Sequence, residues 1–165
     1  MEGGKRLSVG VLSLRGTEEP VHASPHYMRK ELDIALGETT VIGSRHRFPL
    51  LTKMTGRGFG RVTPMVAAER AAHDLKLKPQ ELLVGLYASE ILAALPETPC
   101  PVVYFSDGTA HDIVELYPQF SCLPESEKKA IIRAEELAVA RSELIIVHSE
   151  WAAQSFIEKA GAARE

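Results

Sequence analysis

The chain has 165 residues, of which 45% are hydrophobic, and this is enough for one ordinary globular domain with a buried core. The net charge of -3 argues against a dedicated nucleic-acid-binding protein, and no stretch approaches the roughly 18 uninterrupted apolar residues of a membrane-spanning helix. The two cysteines, Cys100 and Cys122, form no CxxC pair and have no histidine at ligand spacing. We therefore expect neither a disulfide framework nor a zinc site, and we expect a reducing, cytoplasmic setting.

The first predicted element is a buried strand over Leu7–Leu14. The residues before it superficially suggest a signal peptide, but the apolar run is short, contains two serines and a glycine, and leads to Arg15 rather than to a cleavage site. The following loop contains no GxGxxG, so the dinucleotide fingerprint is absent. Gly16 in this loop can bring the backbone close to an anionic ligand, and an ordinary surface turn explains it equally well.

A helix over Pro25–Leu36, ended by Gly37, precedes a second strand over Thr39–Ile42. The segment Arg45–Arg61 then combines five Lys or Arg residues with apolar residues and contains no Asp or Glu. Such a basic segment can contact an anionic membrane surface or a phosphorylated acceptor. A solvated basic face over an apolar underside, the ordinary pattern of a surface helix, explains it more simply. Contact of this segment with a membrane surface is therefore the weaker alternative, and it would place the protein peripherally at the membrane.

A helix over Thr63–Leu75 is followed by a third strand over Leu82–Leu86, extended by Tyr87. Ser89 stands just before a short helix over Ile91–Leu95 and is predicted to be its N-cap. The free N–H groups of this turn could also hold a phosphate or a sugar hydroxyl. Because the cap needs no ligand, both interpretations of Ser89 stay open, with capping the simpler one.

The fourth predicted strand, Val102–Phe105, leads into the polar stretch SDGTAHD. Asp107 stands where a carboxylate can accept hydrogen bonds from sugar hydroxyls or take up a proton. His111 can act as a donor or a base, and Gly108 and Thr109 complete the candidate loop. The alternative is that Asp107 caps the following helix and His111 is merely solvated.

A helix over Glu125–Arg141, placed directly after Pro124, and a strand over Leu144–Val147 come next. Ser149 is predicted to cap a last helix that ends before Gly161, and it lies on the same edge as the other candidate loops. An α/β domain would be expected to start another strand soon after this glycine. We therefore expect the chain to be a piece of a longer protein.

Short apolar runs that are continuous rather than alternating, and rich in Val and Ile, are typical of parallel strands covered by helices on both sides. Their alternation with helical segments predicts one α/β, Rossmann-like domain over residues 1–165, with a right-handed parallel sheet. In such sheets ligands bind at the carboxyl ends of the strands. The residues that directly follow the strands are therefore the candidate site.

The stretch Leu82–Gly161 resembles the N-terminal domain of family 4 glycosyltransferases, the retaining group with the two-domain B-type fold. A Pro-led strand ends in an SD loop, a YP segment follows, and a helix with Glu135 and Ala138 leads to a strand that enters the motif SEWAA at Ser149–Ala153. The segment His22–Leu32, HASPHYMRKEL, resembles the first helix of the family and the loop before it. The matching text is LLVGLYASEILAALPETPCPVVYFSDGTAHDIVELYPQF and RAEELAVARSELIIVHSEWAAQSFIEKAG.

The resemblance implies transfer of a sugar from a nucleotide-sugar to an acceptor with retention of the anomeric configuration. The N-terminal domain shapes the acceptor side of a cleft, and a C-terminal domain that these residues do not include holds the nucleotide-sugar. We therefore expect this chain alone to be inactive. The expected partners are the nucleotide-sugar, a sugar or glycan acceptor and the second domain, without nucleic acid, a metal or a further cofactor.

The resemblance also implies roles for individual residues. Many family members place a His-Asp pair at the end of the fourth strand, near the reacting sugar. Asp107 matches the Asp, Ser106 replaces the His, and His111 lies too far along the chain to be its substitute. Asp107 is therefore the predicted catalytic residue. The predicted substrate-binding residues are Gly16, Ser24, Ser89, Gly108, Thr109, His111 and Ser149.

The alternative hypothesis is a non-catalytic, flavodoxin-like module that binds a partner or ligand. In such a module the loops only cap helices. It predicts a closed domain with no apolar face left for a second domain.

Overall fold

The computed structural model describes residues 7–13, 23–37, 39–42 and 62–164. It is an α/β fold with a five-stranded, all-parallel sheet flanked by helices, and this confirms the predicted Rossmann-like fold class. The strand order is β2-β1-β3-β4-β5. The strands are β1 (Val9–Ser13), β2 (Thr39–Ile42), β3 (Leu82–Leu86), β4 (Val102–Ser106) and β5 (Leu144–Val147). The described helices are α1 (Ala23–Leu36), α2 (Val62–Leu77), α3 (Ser89–Ala94), α4 (Ala110–Leu116), α5 (Pro118–Ser121), α6 (Glu125–Arg141) and α7 (Glu150–Lys159).

The elements predicted from the sequence are present, with ends displaced by up to two residues. The bounds of α6 and β5 are those predicted, and α1 begins two residues before Pro25, which suits a proline in the first turn of a helix. The sequence did not assign bounds to α4 and α5, which have seven and four residues. Helices this short carry too few apolar residues for their periodicity to be recognised.

Side chains alternate between the two faces of the sheet along each strand. On face 1, Leu12, Leu83 and Tyr104 belong to a buried cluster with residues of α2, α3, α6 and α7. On face 2, Val11 and Val84 belong to a smaller cluster that α1 covers. The residues of α1 that pack against it are Met28, Leu32 and Leu36.

Strand β5 lies at one edge of the sheet and has one exposed face. Ile145 packs against the face 1 cluster, and α7 covers the same face through Phe156. Leu144 and Ile146 alternate with Ile145, and their side chains on face 2 are 48% and 41% exposed. No described residue buries this part of face 2. Unlike the central strands, β5 is therefore covered by described residues on one face only.

Candidate functional site

The carboxyl ends of parallel strands form the edge at which such sheets bind ligands. The chain winds from β1 to β2 on one side and from β3 to β4 on the other, so the winding direction switches between β1 and β3. Gly16 and the basic segment Arg45–Arg61 lie outside the described residues, as does the side chain of Ser24, whose backbone belongs to the first turn of α1. The described part of the edge therefore consists of the residues after β3, β4 and β5.

An aromatic cluster spans the carboxyl ends of three neighbouring strands. The ring of Phe105 on β4 lies edge-on to the ring of Tyr87 after β3 and to that of His148 after β5, with centroid distances of 6.0 and 4.9 Å. The Tyr87 hydroxyl and Nε2 of His148 are 3.3 Å apart and share a hydrogen bond. Tyr87 is half-buried and His148 is exposed. A phenol and an imidazole are thus held together at the ligand-binding edge.

The backbone of Tyr87 is strained. Its φ of 50° lies in the left-handed region, which costs a residue with a Cβ about 1–2 kcal/mol. The backbone N–H of Tyr87 donates to the carbonyl of Phe105 at 3.0 Å, so β4 holds the turn in place. Strained residues of this kind cluster at ligand sites, and the outlier therefore points to a function for this turn.

The loop after β4 exposes the carboxylate of Asp107. The buried hydroxyl of Ser106 donates to the carbonyl of Gly108 at 2.9 Å and so shapes the turn around Asp107. Asp107 has no hydrogen bond or ion pair to any other described residue. The alternative that Asp107 caps the next helix is wrong, because the N-cap of α4 is Thr109, whose hydroxyl accepts from the N–H of Asp112 at 3.2 Å. The Asp107 carboxylate can therefore contact a ligand.

The hydroxyl of Thr109 is used inside the fold. Thr109 is fully buried, donates to Oδ2 of Asp112 at 2.7 Å and lies 2.9 Å from Oγ of Ser155 on α7. Lys159 of α7 donates to Oδ1 of the same Asp112 at 2.5 Å. Burial raises the pKa of Asp112, but hydrogen bonds from Lys159, Ser155 and Thr109 outweigh it and hold the pKa below its ordinary value of 3.8. The ionised carboxylate therefore ties α4 to α7, and the Thr109 hydroxyl is not at the surface.

A second buried carboxylate lies beneath the same loop. Oε2 of Glu135 on α6 accepts from the backbone N–H of Ala110, the first residue of α4, at 2.5 Å, and Oε1 accepts from the Tyr104 hydroxyl at 3.4 Å. Burial raises the pKa of Glu135 to about 7, although the Ala110 and Tyr104 hydrogen bonds lower it. Burial and the nearby Glu135 carboxylate likewise raise the pKa of Tyr104. Glu135 thus supports the loop from below and does not reach a ligand.

The structure also describes the predicted site residues Ser149, Ser89 and His111. Ser149 is the N-cap of α7, with its hydroxyl accepting from the N–H of Ala152 at 3.2 Å, as predicted. The predicted N-cap role of Ser89 is wrong, because Ala88 is the N-cap of α3 and no side chain caps that helix. Nε2 of His111 is buried and has no hydrogen-bond partner among the described residues.

Besides Asp107 and Gly108, the carboxyl edge carries aromatic residues that the site prediction did not include. They are Tyr87, Phe105 and Trp151, and the last of these lies against Gly108. The sequence contained a usable signal, since an aromatic residue stands at or near the carboxyl end of each of three consecutive strands. A separate groove of about 400 Å³ between α6, β5 and α7 is lined mainly by apolar residues and lies along the β5 edge.

No family model, curated protein or solved structure matches this chain. Among the residues placed by the structure, no helix is long and apolar enough to cross a membrane, and no three His, Cys, Asp or Glu side chains are grouped to hold a metal ion. The fold and the edge geometry define an α/β domain with a parallel sheet and a polar, aromatic carboxyl edge.

Proposed function

We propose that this chain is the acceptor-side domain of a retaining glycosyltransferase, in which a second Rossmann-like domain holds the nucleotide-sugar. The observation that carries the proposal is the set of groups at the carboxyl ends of β3, β4 and β5, namely the Tyr87–His148 pair and the exposed Asp107. A carboxylate accepts hydrogen bonds, whereas a phenol and a neutral imidazole both donate and accept them. Together they suit a hydroxyl-rich ligand.

Asp107 is the residue that we assign to the reacting sugar. Its carboxylate is exposed and has no partner among the described residues, so it can accept a hydrogen bond from a sugar hydroxyl or take up its proton during transfer. His148 binds a second hydroxyl, because its ring is oriented by the edge of Phe105 and by the hydroxyl of Tyr87. The likeness of the SD loop to the family motif supports the same assignment.

The exposed face of β5 supports the action of a second domain. Leu144 and Ile146 present apolar side chains on face 2, where no described helix covers them. A closed binding module would bury such residues, because exposed apolar surface is unfavourable in water. We therefore expect the chain to bind acceptor sugars weakly and to catalyse no transfer by itself.

The strand order favours a second candidate function. The order β2-β1-β3-β4-β5 is that of flavodoxin-like domains, which bind a phosphorylated cofactor at the β1/β3 switch. A non-catalytic module that binds such a ligand, or a protein partner, is the alternative. It predicts binding near β1, whereas the glycosyltransferase proposal predicts binding near β4 and β5.

Protein-observed NMR separates the two candidates. The isotope-labelled chain is titrated with methyl glycosides, disaccharides, nucleotide-sugars and flavin mononucleotide. We expect glycosides to shift the amide signals of Asp107, Gly108 and His148 with a Kd of about 1 mM or weaker, as befits half of a cleft. Asp107→Ala should weaken this binding by about tenfold or more, because hydrogen bonds to charged groups contribute about 1.5–3 kcal/mol.

The matched control is Glu97→Gln, which changes an exposed acid in the loop before β4. This loop lies at the amino ends of the strands, away from the proposed site. The variant should leave sugar binding unchanged. The proposal fails if no saccharide shifts the signals of the β4 and β5 loops. Saturable binding of flavin mononucleotide beside β1, without saccharide binding, would establish the alternative.

A further inference from the structure

Trp151 is the one tryptophan of the chain, and it is 57% exposed in the first turn of α7. Tryptophan is usually highly buried, because its ring carries a large apolar surface. Here the ring lies at the carboxyl edge of the sheet, three residues after His148. Such exposure at a ligand-binding edge points to a contact that the isolated chain does not make.

The indole lies directly against the loop after β4. A Cβ placed on Gly108 would be 3.7 Å from Cζ3 of Trp151, so the glycine brings the loop backbone within reach of the ring. Asp107 is the preceding residue, and successive Cα atoms are about 3.8 Å apart. The indole therefore contacts the residue that directly follows Asp107 in the chain, and both Asp107 and Trp151 are exposed.

Buried contacts fix α7, which carries Trp151, against the loop after β4. Ser155 follows Trp151 by one helical turn, so both residues lie on the same side of α7. Oγ of Ser155 is 2.9 Å from the Thr109 hydroxyl and donates to Asp112 at 2.5 Å. These contacts attach α7 to the loop that carries Asp107 and Gly108. The backbone positions of Trp151 and Asp107 are thus fixed relative to each other before any ligand arrives, which lowers the entropic cost of binding.

We infer that Trp151, Gly108 and Asp107 form an acceptor subsite for a pyranose ring. The C–H groups on one face of a pyranose carry partial positive charge and pack on the negative face of the indole. A ring hydroxyl of the same sugar donates to the Asp107 carboxylate. The inference rests on the proposed function and narrows it. It states that the acceptor is a carbohydrate and that its pyranose ring packs on the indole of Trp151.

The single tryptophan makes the subsite directly observable, because its emission reports on this ring alone. The chain is titrated with methyl β-glucopyranoside and, separately, with sorbitol, which has hydroxyls but no ring face. We expect the glucoside to change Trp151 emission saturably and sorbitol to leave it unchanged. By ligand-observed NMR, Trp151→Ala should weaken glucoside binding by at least about tenfold, the factor that 1.4 kcal/mol gives, and Trp151→Phe should weaken it less.

The matched control is Tyr117→Ala, which removes another exposed aromatic ring, 51% exposed at the end of α4. It should not change glucoside binding, and far-UV circular dichroism should show that each variant is folded. If the glucoside still shifts the signals of Asp107 and His148 while Trp151→Ala binds it like the wild type, the inference fails and the proposed function stands. If no saccharide binds at the edge, both fail.

Discussion

Oε2 of Glu135, in the middle of α6, accepts a hydrogen bond from the backbone N–H of Ala110, the first residue of α4. The N–O distance is 2.5 Å. A carboxylate at a helix N-terminus is favoured by the helix dipole. Glu135 is only 3% exposed, however, and burial of the charged form is unfavourable. The pKa of about 7 results because burial raises it more than the hydrogen bonds from Ala110 and Tyr104 lower it.

Glu135 should make the protein less stable as the pH rises from about 5 to about 8. Its pKa is raised from an ordinary 4.5 to about 7, so the folded chain binds the proton more tightly than the unfolded chain. Its contribution to stability is therefore complete below pH 4.5 and is lost as the pH rises through 7. At 1.36 kcal/mol per unit, the loss is about 3 kcal/mol. Urea unfolding at several pH values measures it.

Glu135→Gln provides the control, because the amide keeps a carbonyl oxygen for the Ala110 N–H and cannot titrate. The free energy of unfolding of this variant should vary less with pH than that of the wild type. The difference between the two pH profiles should correspond to the titration of one group. Equal pH profiles for the two proteins would contradict the raised pKa.

Thr109→Val should destabilise the protein by about 1–3 kcal/mol, because it removes the N-cap of α4 and one donor to the buried Asp112. Valine keeps the shape of threonine, so the loss reports on the hydroxyl. Thr109→Ser retains the hydroxyl and should lose much less. Chemical denaturation of the two variants measures the difference, and similar losses would show that the methyl group matters more than the cap.

Gly85→Ala should destabilise the core by about 1–3 kcal/mol through overpacking. The added Cβ would lie 2.7 Å from Cδ1 of Leu92 and 3.3 Å from its Cγ, and Leu92 is itself buried. Gly108→Ala is the comparison, because its Cβ would make only an ordinary contact of 3.7 Å with Trp151. Thermal unfolding should rank Gly85→Ala well below Gly108→Ala, and the reverse order would contradict the packing.

Replacing Leu144 and Ile146 together by threonine should reduce self-association without changing stability by more than about 0.5 kcal/mol. Both side chains are exposed on face 2 of an edge strand, and exposed apolar edges promote association. Light scattering at increasing protein concentration measures the effect.

Ile145→Thr is the matched control on the same strand, because Ile145 packs against the face 1 cluster. This change should destabilise the fold and should not relieve association. If the double variant self-associates as strongly as the wild type, the exposed part of face 2 is not the surface responsible.

The predictions of the fold that succeeded rest on local patterns. Leu144–Val147 is a short apolar run between polar residues, and the segment Glu125–Arg141 follows a proline and consists mostly of good helix formers. Ser149 is a cap because its position just before a helix is visible in the sequence itself. The placement of Asp107 at the carboxyl edge of the sheet follows in the same way from its position after β4.

Two possibilities that the structure excludes, capping of α4 by Asp107 and capping of α3 by Ser89, concern neighbouring residues that compete for one cap position. Asp107 and Thr109 both precede α4, and Thr109 is the cap because its hydroxyl also meets Asp112 and Ser155. Ala88 rather than Ser89 is the N-cap of α3. Local propensity favours serine and aspartate at caps, but contacts from other elements decide which residue takes the position.

The sequence by itself determined the fold class, the order of the elements and which residues follow the strands at the carboxyl edge of the sheet, because hydrophobic patterning and turn residues act over a few positions. The tertiary structure alone decided which groups meet there. Ala110 and Glu135 are 25 residues apart, Thr109 and Ser155 are 46 apart, and Trp151 reaches Gly108 only because α7 packs on face 1. Such contacts depend on how the helices pack on the sheet, and no local sequence pattern predicts that packing.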